Sequence, residues 1–210
     1  MKKYIGIAVL SLFIIGLSSF SINKKKKETY DYVVTISTKF GDMKLILFDD
    51  TPIHKENFIK LAEAGKYDST IFHRVIANFM IQGGALKQKD KAGWDTLSFE
   101  DRTLPNEIME KHKHIYGALA AARTENPEKR SSRSQFYIVN NPSGTHFLDN
   151  NYTVFGQLMI GFDVLQKISH TPLNNTMPVD PVYMQVHVNK VKRSQLIIFY
   201  GDVYEKYGLE

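Results

Sequence analysis

The arrangement of apolar and polar residues predicts a chain made mainly of short strands. Residues 30–38 (YDYVVTIST) and 183–191 (YMQVHVNKV) alternate and are rich in β-branched side chains, as half-buried strands are. A turn at residues 40–42 separates the first strand from residues 43–48 (MKLILF), so these two segments predict a hairpin. Other short apolar segments predict further strands within residues 71–76, 79–81, 117–122, 135–139 and 152–158.

Two segments have the period of an amphipathic helix. The first begins at Thr51 and Pro52, where the threonine is a candidate N-cap and proline suits the first helical position, and it ends at Gly65. The second covers residues 161–168. Many short strands, two helices and no alternating βαβ rhythm favour a mainly β domain, closed so that no sheet edge is exposed.

The domain boundaries follow from the same patterns. Residues 28–193 contain no internal repeat and no linker, so we expect one domain with polar loops at residues 85–106 and 123–134. Residues 194–210 form a C-terminal tail with an apolar patch from Leu196 to Tyr200, and the sequence does not place it.

Residues 1–27 have the layout of a targeting segment. Two lysines precede an apolar run at residues 4–20, and small residues at Ser19 and Ser21 allow cleavage before Ile22. As a helix the run would span about 25 Å, slightly short of a bilayer core, so an uncleaved membrane anchor is the alternative to a signal peptide. The following Lys24–Lys27 favour the cytoplasmic side, which leaves an inverted anchor open. We expect export to the periplasm or cell envelope.

Charge and cysteine content exclude several functions. The net charge is +5, but residues 1–27 hold six of the 27 basic residues and no acid. The remaining 21 basic and 22 acidic residues give a balance of −1, so there is no electrostatic case for nucleic-acid binding. The chain has no cysteine, which excludes disulfides, thiolate catalysis and cysteine metal sites.

Other chemistry has only weak signals. His112 and His114 are two residues apart without a carboxylate at ligand spacing, which is a poor metal site. No GxSxG segment accompanies Ser134, so a hydrolase is not indicated. We therefore expect no metal site.

Four segments, in order along the chain, resemble the signature segments of the cyclophilins. They are FHRVIANFMIQGG (residues 72–84), GALAAAR (117–123), SQFYI (134–138) and FLDNNYTVFGQL (147–158). The resemblance covers roughly residues 34–191 and is strongest to bacterial members. It implies a closed eight-stranded antiparallel β-barrel capped by two α-helices. It also implies peptidyl-prolyl cis-trans isomerase activity on proline-containing polypeptides, which assists protein folding without a cofactor.

The resemblance assigns catalysis to Arg74 and Gln82. Rotation about an Xaa-Pro amide is slow because the C–N bond has double-bond character, with a barrier of roughly 20 kcal/mol. In the twisted amide the prolyl nitrogen becomes pyramidal, and a fixed hydrogen-bond donor stabilises it. By resemblance Arg74 is this donor, since its guanidinium keeps its protons, and Gln82 holds it in place.

The resemblance also assigns substrate-binding positions. The apolar socket for the proline ring is matched by Phe79, Met80, Phe136 and Leu148, with Gln135 and Tyr137 beside it and Ala122 in the segment that holds the peptide backbone. Arg123, Phe147 and Tyr152 are further substrate positions, where the family often has asparagine, tryptophan and histidine. Ala77 and Asn78 stand where Pro-Gly is frequent, and the sequence offers no reason for this difference.

Two other classes of function stay open beside the isomerase. A non-catalytic prolyl-peptide-binding module or chaperone would keep the fold and bind peptides without accelerating isomerisation. A structural envelope protein would do neither. The retention of Arg74, Gln82 and the apolar socket favours the enzyme. The sequence carries no signal for an oligomer, so we expect a monomer, with membrane association only through residues 4–20.

Overall fold

The computed structural model describes residues 28–86 and 91–207. The strands are β1 (Tyr30–Thr38), β2 (Gly41–Leu47), β3 (Thr70–Ile71), β4 (Arg74–Ile76), β5 (Met80–Gly83), β6 (Thr103–Leu104), β7 (Ala118–Ala121), β8 (Ser131–Ser132), β9 (Phe136–Val139), β10 (Val154–Ile160), β11 (Leu173–Asn174), β12 (Met177–Pro178) and β13 (Tyr183–Lys192). The helices are α1 (Pro52–Glu63), α2 (Lys91–Thr96), α3 (Phe99–Arg102), α4 (Phe162–Ser169) and α5 (Arg193–Tyr207), with a 3-10 turn at His146–Leu148. The predicted strands and both predicted helices, α1 and α4, are present.

Nine strands form one antiparallel sheet in the order β3-β13-β1-β2-β10-β7-β9-β5-β4. The expected closed eight-stranded barrel is not confirmed, because the edge strands β3 and β4 of the described sheet do not pair with each other. They are joined only through Phe72 and His73. The N–H of Phe72 donates to Val182 at 3.0 Å, whereas the N–H of His73 donates to Gln82 at 3.0 Å. The sheet is therefore so strongly curled that its two edge strands are consecutive in the chain, although no hydrogen bonds pair them.

Side chains alternate between the two faces of this sheet and build two apolar clusters. The inner cluster includes Val34, Ile36, Leu119, Phe136, Ile138 and Phe155, together with residues of α1 and α4. The outer cluster includes Met80, Ala120, Tyr137, Val139 and Val154, with Phe79, Leu148 and Tyr152 packed against it. Successive residues of β7 and β9 belong to alternate clusters, as the two-residue period of a strand requires.

Helix α1 begins after Thr51 as predicted, but Thr51 does not cap it. The hydroxyl of Thr51 instead donates to the carbonyl of Phe48 at 3.3 Å. The carboxylate of Glu107 accepts from the main-chain N–H groups of Ile53 and His54, each at 2.9 Å. A negative charge from a distant loop thus satisfies the first N–H groups of the helix and interacts favourably with its dipole.

The C-terminal segment, which the sequence left unplaced, forms α5 and packs on the domain. Leu196 and Tyr204 are buried in the outer cluster, and the helix is interrupted at Tyr200 by non-helical angles. At its start, Arg193 donates two hydrogen bonds to Asp31, at 2.6 and 2.8 Å, and the hydroxyl of Tyr204 donates to the same carboxylate at 2.7 Å. Since Asp31 is only 2% exposed, this pairing fixes α5 against β1.

The predictions for residues 85–106 and for residues 1–27 remain to be compared with the structure. Residues 85–106, expected to be a loop, contain the short helices α2 and α3, and the hydroxyl of Ser98 caps α3 by accepting from the N–H of Asp101 at 3.1 Å. Residues 1–27, with their predicted signal peptide or anchor, lie outside the described residues. Within residues 28–86 and 91–207, no helix is long and apolar enough to cross a membrane.

Candidate active site

Strand register brings the predicted catalytic residues together. Arg74 on β4 lies directly opposite Gln82 on β5, and Gln82 lies opposite Tyr137 on β9. Tyr137 in turn lies opposite Ala120 on β7. Directly opposite residues of neighbouring strands share a face, so these side chains form one row across four strands on the outer face of the sheet.

Gln82 orients the guanidinium of Arg74. Nη1 of Arg74 donates to Oε1 of Gln82 at 3.3 Å, and Nε2 of Gln82 donates to Oε1 of Gln135 at 3.0 Å. The same Nη1 lies 3.7 Å from the sulfur of Met80, and the guanidinium carbon is 5.9 Å from the ring centre of Phe79. No carboxylate of the described residues forms an ion pair with Arg74, so most of its N–H groups remain available to a ligand.

The turn between β4 and β5 accounts for Asn78, the second residue of the unusual pair Ala77 and Asn78. The N–H of Phe79 donates to the carbonyl of Ile76 at 3.1 Å and closes the turn. Asn78 has a φ of 55°, in the left-handed region. Asparagine adopts this region more readily than most other residues with a side chain, so it suits this position of the turn.

The predicted proline socket lies beside Arg74 on the outer face. Met80 and Tyr137 are 1% and 4% exposed, and Phe79 and Leu148 pack against the same cluster. The ring of Phe147 is 72% exposed and stacks on Phe79, with ring centres 5.6 Å apart. Together they form an apolar surface next to a fixed cation, which is what a twisted prolyl amide requires.

Phe136 does not belong to this socket, contrary to the prediction. Its ring lies in the inner cluster, edge-on to Phe58 and Tyr67, with ring centres 5.5 and 5.7 Å away. Phe136 and Tyr137 are consecutive on β9 and therefore point to opposite faces. Tyr137 takes the socket position, and Phe136 is a core residue.

Arg123 and Tyr152 form the next part of the surface. The guanidinium carbon of Arg123 lies 4.8 Å from the ring centre of Tyr152, and its Nε donates to the carbonyl of Asn151 at 3.0 Å. The ring of Tyr152 is edge-on to that of Tyr137, with centres 5.9 Å apart. Both side chains thus lie beside Tyr137, and their contact with substrate stays a prediction.

The main chain at Ala122 is already paired within the protein. Its N–H donates to the carbonyl of Gln135 at 2.9 Å, and its carbonyl accepts from the N–H of Ser132 at 2.7 Å. The main-chain N–H and C=O of Arg123 have no hydrogen-bond partner among residues 28–86 and 91–207. Within the segment predicted to hold the peptide backbone, the unpaired main-chain groups are therefore those of Arg123.

The other side of the Gln82–Gln135 pair borders a positively charged pocket. Its volume is about 330 Å³, and Arg102, Arg123 and Arg130 contribute to its lining, with no acidic residue.

His112 and His114, considered as metal ligands from the sequence, have separate partners. Nε2 of His112 lies 2.7 Å from Asp50, whereas His114 lies between Asp149 and Tyr137, at 2.8 and 2.9 Å. In the described part of the chain, no group of three or more His, Asp or Glu side chains is arranged to hold a metal ion. The contact of His114 with Tyr137 was missed, since 23 residues separate the two and no motif joins them.

Comparison with known sequences identifies relatives along most of the chain. Residues 33–192 match the family model for the cyclophilin type peptidyl-prolyl cis-trans isomerase. A peptidyl-prolyl cis-trans isomerase of Acinetobacter baylyi is 36% identical over 164 residues, covering 71% of this chain and 81% of the relative. Peptidyl-prolyl cis-trans isomerase A of Dickeya dadantii is 34% identical over 190 residues, covering 87% and 92%.

The fold is similar to solved structures as well. The crystal structure of a cyclophilin type peptidyl-prolyl cis-trans isomerase of Cryptosporidium parvum, determined in the presence of the dipeptide Ala-Pro, has a TM-score of 0.65 and 30% identity. The match covers 75% of this chain and 98% of that one. With sequence and fold in agreement, this chain belongs to the family of cyclophilin-type peptidyl-prolyl cis-trans isomerases.

Proposed function

We propose that this chain accelerates rotation about Xaa-Pro bonds, with Arg74 as the catalytic donor. The observation that carries the proposal is the guanidinium of Arg74, held by Gln82 at the edge of an apolar socket. A proline ring in the socket places its nitrogen next to the guanidinium. As the amide twists, this nitrogen gains a lone pair, and Arg74 donates to it more strongly than to the planar amide.

The peptide backbone is held by Arg123 in this proposal. Its unpaired main-chain N–H and C=O lie two residues after the end of β7, where an extended peptide can add two hydrogen bonds. The socket fixes the proline while this pairing fixes the preceding residues. With both sides of an extended substrate held, only the Xaa-Pro amide between them is left to rotate.

The decisive test is the substitution Arg74→Ala in an isomerisation assay with a short Xaa-Pro peptide. We expect kcat/KM to fall by tenfold or more, which corresponds to at least about 1.4 kcal/mol of lost transition-state stabilisation. Arg74→Lys keeps the charge but not the planar fork of donors, so it should recover only part of the rate. Circular dichroism of each variant verifies that the fold is intact.

The same assay separates the enzyme from its alternative. Peptide binding without any acceleration in the unmodified chain would replace the isomerase with a prolyl-peptide-binding module or chaperone. Full activity of Arg74→Ala would contradict the assigned mechanism while leaving the activity itself in place.

We further propose that the protein acts outside the cytoplasm, in the periplasm or cell envelope, where it assists folding. The support is the sequence of residues 1–27, with lysines before an apolar run and small residues near Ile22. N-terminal sequencing of the protein from cell fractions tests this. A start at Ile22 in the exported fraction indicates a cleaved signal, a start at Met1 in the membrane fraction indicates an anchor, and a cytosolic protein contradicts export.

A further inference from the structure

Beneath the proline socket, three polar side chains form a continuous series of hydrogen bonds. Oδ1 of Asp149 lies 2.8 Å from Nδ1 of His114 and also accepts from the main-chain N–H of His114 at 2.8 Å. Nε2 of His114 lies 2.9 Å from the hydroxyl of Tyr137. His114 is 0% exposed and Tyr137 is 4% exposed. The proposed mechanism does not use this series, although it ends on a residue of the socket.

Hydrogen-bonding capacity fixes the direction of each bond. An ionised carboxylate only accepts, so the proton between Asp149 and His114 resides on Nδ1. In a neutral imidazole Nε2 is then an acceptor, and the hydroxyl of Tyr137 must donate to it. The O–H bond therefore points towards His114, and the ring of Tyr137 presents an apolar surface to the socket.

Protonation of His114 would reverse the second bond. Nε2 then becomes a donor and the oxygen of Tyr137 its acceptor, so the hydroxyl hydrogen must turn elsewhere. The ring of Tyr152 is edge-on to that of Tyr137, and both rings belong to the apolar cluster around the socket. A hydroxyl that turns away from His114 therefore places a polar O–H bond in the surroundings that otherwise hold an apolar proline ring.

We propose that His114 is a positioning residue of the isomerase: while neutral it keeps the Tyr137 hydroxyl out of the proline socket, and when protonated it weakens peptide binding. The inference rests on the proposed function, because the socket is assigned there. It adds a pH-dependent step to substrate binding and no new chemical step to catalysis.

Charged and titratable groups face this series from several elements. Asp149 favours the protonated form of His114, whereas His146, which bonds the second oxygen of Asp149 at 3.0 Å, opposes it. Arg123 lies over Tyr152 on the other side of Tyr137. Burial is the largest influence and lowers the pKa of His114 below its ordinary value of 6.5 in spite of Asp149.

The sign of the pH effect follows from this lowered pKa. His114 is neutral at pH 7, and it binds a proton only when the pH falls below 6.5, the ordinary pKa of histidine. Its contribution to folding is complete above an unfolded pKa of about 6.5 and is lost as the pH falls towards the folded pKa. Any loss of peptide binding must therefore lie on the acid side.

The test compares the unmodified full-length chain with His114→Gln and Tyr137→Phe from about pH 8 to pH 5. Exchange NMR on an Xaa-Pro peptide gives kcat and KM without a coupling protease. For the unmodified chain we expect KM to rise about threefold or more in acid, with kcat changing by less than about twofold. Both variants should have a KM that is independent of pH, because one cannot be protonated and the other has no hydroxyl.

His73 provides the main competing explanation, since it precedes Arg74 and burial also lowers its pKa. If the rise in KM persists in His114→Gln, His73 or another group causes it and the proposal is wrong. A pH-independent KM in the unmodified chain would equally overturn it.

The nitrogen resonances of His114 give a readout that does not depend on activity. We expect the tautomer protonated at Nδ1 at neutral pH, and the opposite tautomer would contradict the proposed bond from Tyr137. If the chain accelerates no isomerisation at any pH, the proposed function fails. The dissociation constant of the peptide, followed over the same pH range, then decides the role of His114 on its own.

Discussion

The two faces of β9 differ in chemistry although their residues alternate along one short strand. Phe136 and Ile138 point into the inner cluster, which is lined by apolar side chains. Tyr137 and Val139 point into the outer cluster, and there Tyr137 bonds to His114 and lies in the same row as Gln82 and Arg74. One face stabilises the fold by burial, while the other combines burial with fixed hydrogen-bond donors.

This difference shows why the site can retain polar groups next to an apolar surface. The polar side chains of the outer face each have partners: Gln82 bonds Arg74 and Gln135, and His114 bonds Asp149 and Tyr137. A paired polar group costs little in stability, whereas an unpaired buried one is costly. The inner cluster supplies the stability that allows the outer face to be used for binding.

The largest effect that separates the two faces is expected from Phe136→Ala. Removing a phenyl ring that packs edge-on against Phe58 and Tyr67 should lower the free energy of unfolding by about 3–5 kcal/mol. Urea denaturation measures this loss. In buffer without denaturant, the folded fraction should keep its KM for a prolyl peptide, because the ring does not reach the socket.

Tyr137→Phe is the matched control one residue later, and it should cost far less stability than Phe136→Ala. A tenfold rise in KM for Phe136→Ala at full folding would show that the socket assignment of the two residues must be exchanged.

The sequence predicted the main elements and the proximity of Arg74 and Gln82, and the misplacement of Phe136 has a physical cause. Arg74 and Gln82 lie in one short segment, so both the resemblance and the hairpin geometry place them together. Phe136 and Tyr137 are adjacent aromatic residues on a strand that is buried on both faces, and alternation alone does not say which one faces the site.

The sequence did not predict the contacts between residues of distant loops. Glu107 caps α1 from 54 residues away, and Asp149 reaches His114 across 35 residues. No periodic pattern or local motif links such pairs, because their proximity results from how the sheet curls. The sequence likewise does not predict that β3 and β4 stay unpaired, because the N–H groups of Phe72 and His73 donate to carbonyls in two different parts of the chain.

A second, smaller effect is expected from Phe79→Ala on the outer face. Phe79 contacts the guanidinium of Arg74 and stacks on Phe147, but it is only partly buried. We expect KM for a prolyl peptide to rise about tenfold, or about 1.4 kcal/mol of binding, with a smaller loss of folding stability than for Phe136→Ala. Peptide titration and urea denaturation of the same sample measure both quantities. A loss of stability without any change in KM would place Phe79 with the structural residues.

The smallest effect is expected in the turn that joins the two catalytic strands, at exposed Asn78. Its φ of 55° is unfavourable for alanine, so Asn78→Ala should lower the free energy of unfolding by roughly 1 kcal/mol. Asn78→Gly adopts the same angle without strain and should stay within about 0.5 kcal/mol of the unmodified chain. Because Asn78 faces solvent and contacts neither cluster, kcat/KM should change by less than about twofold in both variants. Equal stability of the alanine and glycine variants would contradict the left-handed turn, and a large change in kcat/KM would show that the turn sets the spacing between Arg74 and Gln82.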